Sequence, residues 1–141
     1  MVIVAAVDRS ERAKRVASEA ESLALAFDEP LHVIHVMSRS EFVEIETTIA
    51  ERGEQSISVK KIRELAANKA GTAAEGSSRE YTAVGRVGDP KSEVIQYANE
   101  KDARYIVVGG RKRSPAGKAV FGSVTQSILL NADSPVVSVI E

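Results

Sequence analysis

The chain has 141 residues, of which 43% are hydrophobic and 28% charged, a composition typical of one folded domain with its own core. Its formal net charge of -1 argues against general nucleic-acid binding, which usually requires a basic surplus. Because the sequence contains no cysteine, disulfide bonds, thiolate metal sites and cysteine nucleophiles are excluded.

The N-terminal run M-V-I-V-A-A-V-D is short and apolar, and it lacks the basic flank and the cleavage site of a signal peptide. We interpret it as a buried first strand. No apolar run approaches the roughly 20 residues that a membrane-spanning helix needs. We therefore expect a cytoplasmic protein that folds as one domain over residues 1–141.

The first strand and the first helix follow directly from the hydrophobic pattern. Residues 2–7 are continuously apolar, which predicts a strand covered on both faces. Apolar residues then recur at helical spacing over residues 11–27, and Asp8 or Ser10 is the candidate cap. Pro30 lies just beyond the predicted end of this helix.

A second buried strand, L-H-V-I-H-V-M, is predicted over residues 31–37. The segment 38–58 is the hardest to interpret. Its apolar residues indicate a short amphipathic helix that Gly53 interrupts. A second long helix is predicted over about residues 57–74 from its inner stripe of apolar residues.

A third strand is predicted over residues 80–87, and its higher polarity is typical of a sheet edge. Asp89 and Pro90 then give a strong helix start, because aspartate is a preferred N-cap and proline suits the first helical position. The third helix begins there.

A fourth strand is predicted over residues 104–108, a fourth helix over 123–131 and a fifth strand over 135–140. Asn131 is the expected left-handed C-cap of the fourth helix. Regular alternation of strands and helices implies right-handed crossovers and a parallel sheet. The predicted fold is a single doubly wound, Rossmann-like three-layer α/β sandwich, with five parallel strands in the order 3-2-1-4-5 and about four helices.

In an open parallel sheet, ligands bind beyond the carboxyl ends of the strands, where the strand order reverses. The first strand ends at Asp8, the second near Val36 and the fourth at Val108-Gly109. Gly122 and the residues after it begin the last helix. We therefore expect these chemically distinctive residues to meet at one edge of the sheet.

Each of these residues has two interpretations, and both stay open on the sequence alone. Asp8 caps the first helix, or its carboxylate accepts hydrogen bonds from a ligand. Gly109 and Gly110 form a tight turn after the strand, or they let a ligand approach the backbone. Gly122 is only a helix cap, or it opens an anion site in which backbone N–H groups and hydroxyls grip phosphate oxygens. The last site comprises Ser123, Val124 and Thr125.

The dense basic cluster of the chain follows the fourth strand and comprises Arg111, Lys112, Arg113 and Lys118. Such a run is usually a solvated loop. Because it overhangs the expected anion site, a role in neutralising phosphate is favoured here.

No catalytic constellation is apparent in the sequence. His32 and His35 stand three residues apart on a strand and so face opposite sides of the sheet, which favours buried, hydrogen-bonded histidines over a shared metal site. The sequence contains no H-E-x-x-H motif and no G-x-x-x-x-G-K-[S/T] loop.

The pattern V-V-G-G-R-K-R-S-P-A-G-K-A-V-F-G-S-V-T, with V-D-R-S, H-V-M and G-D-P after the first three strands, resembles the universal stress protein family over the whole chain. The nucleotide-binding branch of that family carries G-x-x-G, nine residues and then G-[S/T]. Gly109 matches the first glycine, and nine residues precede Gly122-Ser123, but Lys112 replaces the second glycine.

The resemblance implies one universal stress protein domain that binds ATP, with the presence of Mg²⁺ left open and no dedicated metal site. It implies a homodimer that pairs through residues Val136 to Ile140, and a regulatory role with at most slow hydrolysis. The nucleotide contacts that it implies are Ala6, Val7, Asp8, Val36, Val108, Gly109, Lys112, Gly122, Ser123, Val124 and Thr125.

The alternative, motivated by Lys112, is a family member that binds no nucleotide and acts as a dimeric interaction or scaffold protein. An enzyme of similar topology, such as a nucleotide hydrolase, is disfavoured because no catalytic base is evident.

Overall fold

The computed structural model describes residues 1–53, 58–112 and 119–140, with the backbone alone at residues 111, 112, 119 and 120. Its strands are β1 (Val2–Ala6), β2 (Leu31–Met37), β3 (Tyr81–Val87), β4 (Ala103–Lys112), β5 (Ala119–Val120) and β6 (Val136–Ile140). Its helices are α1 (Arg12–Phe27), α2 (Arg39–Glu51), α3 (Val59–Ala73), α4 (Pro90–Glu100) and α5 (Ser123–Asn131).

Five strands form one parallel sheet in the order β3-β2-β1-β4-β6, so β1 lies at its centre. On one side of β1, Ile3 pairs with Leu31 of β2, and on the other side Val4 pairs with Ile106 of β4. The two-residue β5 pairs antiparallel with the end of β4. The α/β class and the predicted order 3-2-1-4-5 are confirmed, with β6 as the fifth parallel strand.

Helices cover both faces of the sheet, as continuously apolar strands require. On one face, α1 and α3 bury small residues such as Ala17 and Ala70 against β1 and β2. On the other face, α4 and α5 bury Val94 and Ile128. The carboxyl edge of the sheet therefore lies between helices from both layers.

The described residues contain five helices, whereas the sequence predicted about four. The fifth is α2, the short amphipathic helix that the apolar residues of segment 38–58 indicated, and it occupies most of that segment. Its start is fixed by Ser38, whose hydroxyl accepts a hydrogen bond from the backbone N–H of Glu41 at 3.3 Å. It ends just before Gly53, which adopts a φ of 71°.

The fourth strand is longer than predicted, because β4 continues to Lys112 instead of ending at Val108. Gly109 and Gly110 do not form a turn, and they stay in register with Val139 and Ile140 of β6. Glycine suits strands where another element approaches closely, and that requirement explains these two positions better than a turn does.

Two predicted helix ends differ in detail from the structure. Asn131 is the last residue of α5 and not a left-handed cap, since Ala132 follows in an extended conformation. The Asn131 side chain donates a hydrogen bond to the Ser127 carbonyl at 2.8 Å. Asp89 is the N-cap of α4, but its carboxylate accepts from the Ser92 hydroxyl and not from a backbone N–H.

Across the described part of the chain, no helix combines the length and the apolar character needed to cross a lipid bilayer.

Candidate functional site

A cleft of about 600 Å³ opens at the carboxyl ends of β1, β2 and β4, where the strand order reverses. Except for Lys112, all the predicted site residues line it: Ala6, Val7, Asp8, Val36, Val108, Gly109, Gly122, Ser123, Val124 and Thr125. The fold thus brings together residues that are far apart in the sequence.

Lys112 lies in β4, where its backbone pairs with Ala119 of β5 in an antiparallel register. An extended strand position accepts any L-residue, so this position does not require the positive φ for which glycine is favoured. The side chains of Lys112 and Arg111 lie outside the described structure, as do residues Arg113 and Lys118. Their predicted contacts with phosphate stay predictions.

One end of the cleft is formed by the N-terminus of α5. Gly122 is the N-cap, with an extended φ of -66° and ψ of 166°, and its carbonyl accepts the first helical hydrogen bond from Gln126 at 2.9 Å. The backbone N–H groups of Ser123, Val124 and Thr125 therefore have no partner within the helix. Together with the positive end of the helix dipole, they favour an anion at this end of the cleft.

The hydroxyl of Thr125 was expected to donate to a phosphate, but it bonds within the protein. Its Oγ1 donates a hydrogen bond to the Gly109 carbonyl at 3.1 Å, which joins the first turn of α5 to β4. The hydroxyl proton is therefore used within the protein. A phosphate at this end would be held by the three N–H groups and by the Ser123 hydroxyl.

Glycine is required at positions 109 and 110 because neighbouring side chains lie very close to the backbone there. A Cβ on Gly109 would lie 3.1 Å from Cγ2 of Val16 in α1, and a Cβ on Gly110 would lie 2.7 Å from the ring of Phe121. The two glycines therefore let packed layers approach β4 from both faces. Both glycines also line the cleft.

The opposite end of the cleft is apolar. Val36, Val108 and Val94 of α4 line it and are themselves nearly buried. Ile34 and Pro90 complete this surface. Sequence reasoning assigned Val94 only to the buried side of its helix, because the pattern gave no sign that α4 begins beside the ends of β1 and β2.

Glu11 is the N-cap of α1 and no side chain caps that helix, so the predicted capping role of Asp8 or Ser10 is wrong. Asp8 bonds instead to Ser10. Its Oδ1 accepts hydrogen bonds from the backbone N–H of Ser10 at 2.8 Å and from the Ser10 hydroxyl at 2.5 Å. The carboxylate thereby shapes the turn that leads from β1 to α1. About two-thirds of the side chain is exposed at the cleft, so a ligand can reach it as well.

A buried polar cluster, which sequence reasoning missed, lies beside the cleft. His35 has Nδ1 2.9 Å from the Val7 carbonyl and Nε2 3.2 Å from Oε2 of Glu41. The same oxygen lies 3.3 Å from Nζ of Lys69. Both ring nitrogens are therefore engaged within the protein. The cluster joins β1, β2, α2 and α3.

The pKa of Glu41 is shifted by opposing effects. Burial by itself raises the pKa, but hydrogen bonds and charges from His35 and Lys69 outweigh burial and lower it. The ionised form of Glu41 is therefore the stable one in the folded protein.

On the opposite face of β2, His32 packs against α4. Its Nδ1 lies 2.6 Å from the Tyr97 hydroxyl. Burial, followed by the charge of Lys101, lowers the pKa of His32. The two histidines thus occupy opposite faces and are hydrogen-bonded, as their spacing predicted.

No sequence pattern predicted that Glu41 and Lys69 would form a cluster with His35. Glu41 lies six residues after His35, in the segment that periodicity could not resolve. A glutamate near the start of a helix is ordinarily exposed, whereas this one is 8% exposed. Within the described residues, no group of three or more His, Asp or Glu side chains is arranged to hold a metal ion.

Comparison with known proteins agrees with this geometry. The model of the universal stress protein family matches residues 1–139 of the chain. A universal stress protein of Methanocaldococcus jannaschii is 27% identical over 97% of this chain and 80% of that protein.

Two solved structures from Archaeoglobus fulgidus are similar along nearly their whole length. A universal stress protein is 30% identical, with a TM-score of 0.61, and the match covers 98% of this chain and 97% of that one. A universal stress protein in complex with dAMP is 25% identical, with a TM-score of 0.55, and the match covers 98% and 96%. The fold, the strand order and the family match together establish that this chain belongs to the universal stress protein family.

Proposed function

We propose that this protein is a cytoplasmic universal stress protein of one domain that binds an adenine nucleotide, with ATP as the preferred form, and acts as a regulator. The observation that carries the proposal is the cleft itself, which combines an apolar surface with three backbone N–H groups that have no partner within α5. A nucleoside triphosphate has the same polarity, with a flat apolar base at one end and charged phosphates at the other.

The apolar end suits a purine ring. Val36, Val94 and Val108 belong to one hydrophobic cluster and offer an apolar surface to the cleft. Asp8 lies between the two ends and exposes carboxylate oxygens that can accept hydrogen bonds from ribose hydroxyls. The dAMP complex of the A. fulgidus relative supports adenine as the base.

The phosphate end suits a polyanion. The N–H groups of Ser123, Val124 and Thr125 lie at the start of α5, and Gly109 and Gly110 line the same cleft. If Mg²⁺ accompanies the nucleotide, we expect phosphate oxygens and water to supply most of its ligands, as is usual for this ion.

Binding without efficient turnover is part of the proposal. His35 is the imidazole nearest to the cleft, and both of its ring nitrogens already face Val7 and Glu41. A general base must be within reach of the proton that it removes, and His35 is not free for that role.

Ser123→Pro tests the proposal at one atom. Proline at the first position of α5 removes a backbone N–H, and the extended conformation of Gly122 is the one favoured before proline. We expect the helix to form and the Kd for ATP to rise by roughly tenfold or more, because a hydrogen bond to a charged group is worth about 1.5–3 kcal/mol. Isothermal titration calorimetry measures the change.

Ser123→Ala is the matched control, since it removes the hydroxyl and keeps the N–H, and it should bind more tightly than the proline variant. Mass spectrometry of ligand released from the denatured wild-type protein provides a second readout. The proposal fails if the wild-type protein carries no nucleotide and binds none of ATP, ADP and AMP at millimolar concentration. That outcome would favour the nucleotide-free scaffold role.

A homodimer formed through β6 is the second part of the proposal. β6 is an edge strand in which Val136 and Val137 are only partly covered, and such an edge is prone to pair with another strand. The backbone N–H of Ile106 in β4 bonds to the Pro135 carbonyl at 3.0 Å. Because amide direction alternates along a strand, the N–H of Ser138 faces the open edge.

Ser138→Pro should therefore weaken the dimer and leave pairing with β4 intact. We expect its dissociation constant to rise by about tenfold or more, since each copy loses an edge hydrogen bond. Sedimentation velocity over a micromolar dilution series measures it. Ser138→Ala is the control, because the Ser138 hydroxyl is buried without a partner among the described residues. A proline variant that dimerises like the wild type would contradict pairing through this edge.

A further inference from the structure

The first residue of α1, Arg12, lines the cleft and is held there weakly. Its side chain is only 25% exposed, and its Nη2 lies 3.8 Å from Oδ2 of Asp8, which is beyond hydrogen-bonding distance. Among the described residues, its guanidinium donates no hydrogen bond. The charge is thus largely covered by protein without a strong partner.

Such an arginine is suited to receive an anion. A pair at this distance with an exposed carboxylate contributes little, and Asp8 already directs its other oxygen to Ser10. A guanidinium presents five donors in a planar fork that matches the oxygens of phosphate. The structure therefore leaves these donors available on the wall of the cleft.

The position of Arg12 identifies which part of a ligand it would meet. Cβ of Arg12 lies 4.0 Å from the point that a Cβ on Gly109 would occupy. The carbonyl of Gly109 accepts the hydrogen bond from Thr125 in the first turn of α5. Arg12 and the N-terminus of α5 therefore flank the same residue of β4.

The second arginine of the same turn provides a contrast. Arg9 is 54% exposed, with Nη1 3.4 Å from Glu44 and Nε 3.8 Å from Glu41. These contacts hold it towards α2. One turn of the chain thus carries two arginines in different electrostatic surroundings.

We infer that Arg12 binds phosphate oxygens beyond the first phosphate and makes the site prefer nucleoside di- and triphosphates over monophosphates. The inference rests on the proposed nucleotide site and adds a side-chain determinant to its backbone donors. The preference requires a polyphosphate because the two contacts come from different sides of β4. Arg12 approaches the phosphate chain from α1, while the α5 amides hold the chain from the opposite side.

Calorimetric titrations with ATP, ADP, AMP and adenosine on the wild type, Arg12→Gln, Arg12→Lys and Arg9→Gln test the inference. Arg12→Gln should weaken ATP by about tenfold or more and leave adenosine within about twofold. Arg12→Lys should recover part of the loss, because it restores charge without the planar fork. Arg9→Gln should bind ATP as the wild type does.

An Arg12→Gln variant that binds ATP within twofold of the wild type, or that loses adenosine and ATP equally, overturns the inference. Inorganic tripolyphosphate separates this result from failure of the proposed function. If the wild type binds no nucleotide but binds tripolyphosphate through Arg12, the nucleotide proposal fails and the polyphosphate contact stands. If Arg12→Gln leaves tripolyphosphate binding unchanged, Arg12 has no such role.

Discussion

Replacing Gly85 with alanine should lower the free energy of unfolding by about 3 kcal/mol, although the change adds a single methyl group. Gly85 lies in the middle of β3, directly beneath α3. A Cβ there would lie 2.0 Å from the Arg63 carbonyl oxygen and 2.5 Å from the Ala67 nitrogen. Both are backbone atoms, so no rotation of a side chain relieves the overlap.

The methyl group therefore forces α3 away from the sheet as a unit. That displacement separates Ala66 and Ala70 from the strands against which they are buried. Urea unfolding followed by far-ultraviolet circular dichroism measures the loss. We expect a lower midpoint with a similar dependence on urea, since the same surface is exposed on unfolding.

Gly71→Ala is the matched control because it lies in α3 itself. Its Cβ would meet only the Tyr81 hydroxyl, at 3.9 Å, which is ordinary contact. Alanine is the better helix former, so this variant should be stabilised by up to about 1 kcal/mol. If Gly85→Ala unfolds at the same urea concentration as the wild type, the close packing of α3 on β3 is wrong.

Replacing Glu41 with glutamine should lower the free energy of unfolding at pH 7 by about 2 kcal/mol. Glutamine has nearly the same shape, so the change removes a charge and little volume. His35 at 3.2 Å and Lys69 at 3.3 Å would lose the carboxylate that they share. The expected loss is smaller than that of a fully buried pair, since the Lys69 side chain is partly exposed.

Glu41 and His32 also give the protein a defined response to acid. The folded-state pKa of Glu41 is lowered from 4.5, so its contribution is complete above that pH and is lost as the pH falls further. The pKa of His32 is lowered from 6.5, so the folded state resists its protonation and stability falls as the pH drops below that value. Both effects reduce stability in acid.

Unfolding free energies of the wild type and Glu41→Gln, measured from pH 7 down to about pH 2, separate the two groups. The variant should keep the decline that begins near pH 6.5 and show a shallower decline than the wild type below about pH 4.5. Glu44→Gln is the control, because Glu44 is exposed and contacts only Arg9 among the described residues. Parallel curves for the wild type and Glu41→Gln would contradict the role of this cluster.

Much of the fold was predictable because its information is local. Continuous apolar runs marked β1 and β2, and Asp89 with Pro90 marked the start of α4. Alternation of strands and helices then restricts the topology to a parallel sheet with right-handed crossovers. The same reasoning predicts that Asp8 and Gly109 lie at one edge of the sheet, where both line the cleft.

The errors arose where tertiary contacts decide the local structure. Gly109 and Gly110 resemble a turn in sequence, but α1 and Phe121 pack so closely on β4 that glycine is needed within the strand. Glu41 is buried because His35 and Lys69 approach it from other elements. The sequence places Arg12 in the first helix without distinguishing it from its neighbours, and only the fold shows that it lines the cleft.

The strand order also determines when the cleft can exist during synthesis. β1 pairs with β2 early, but its other neighbour begins at Ala103, which pairs with Val2 from the far end of the chain. The ribosome must therefore release most of the polypeptide before the switch point closes, and contacts between such distant residues form slowly. A ligand bound between β1 and α5 would stabilise only the fully folded protein. A bound ligand would therefore indicate that folding is complete.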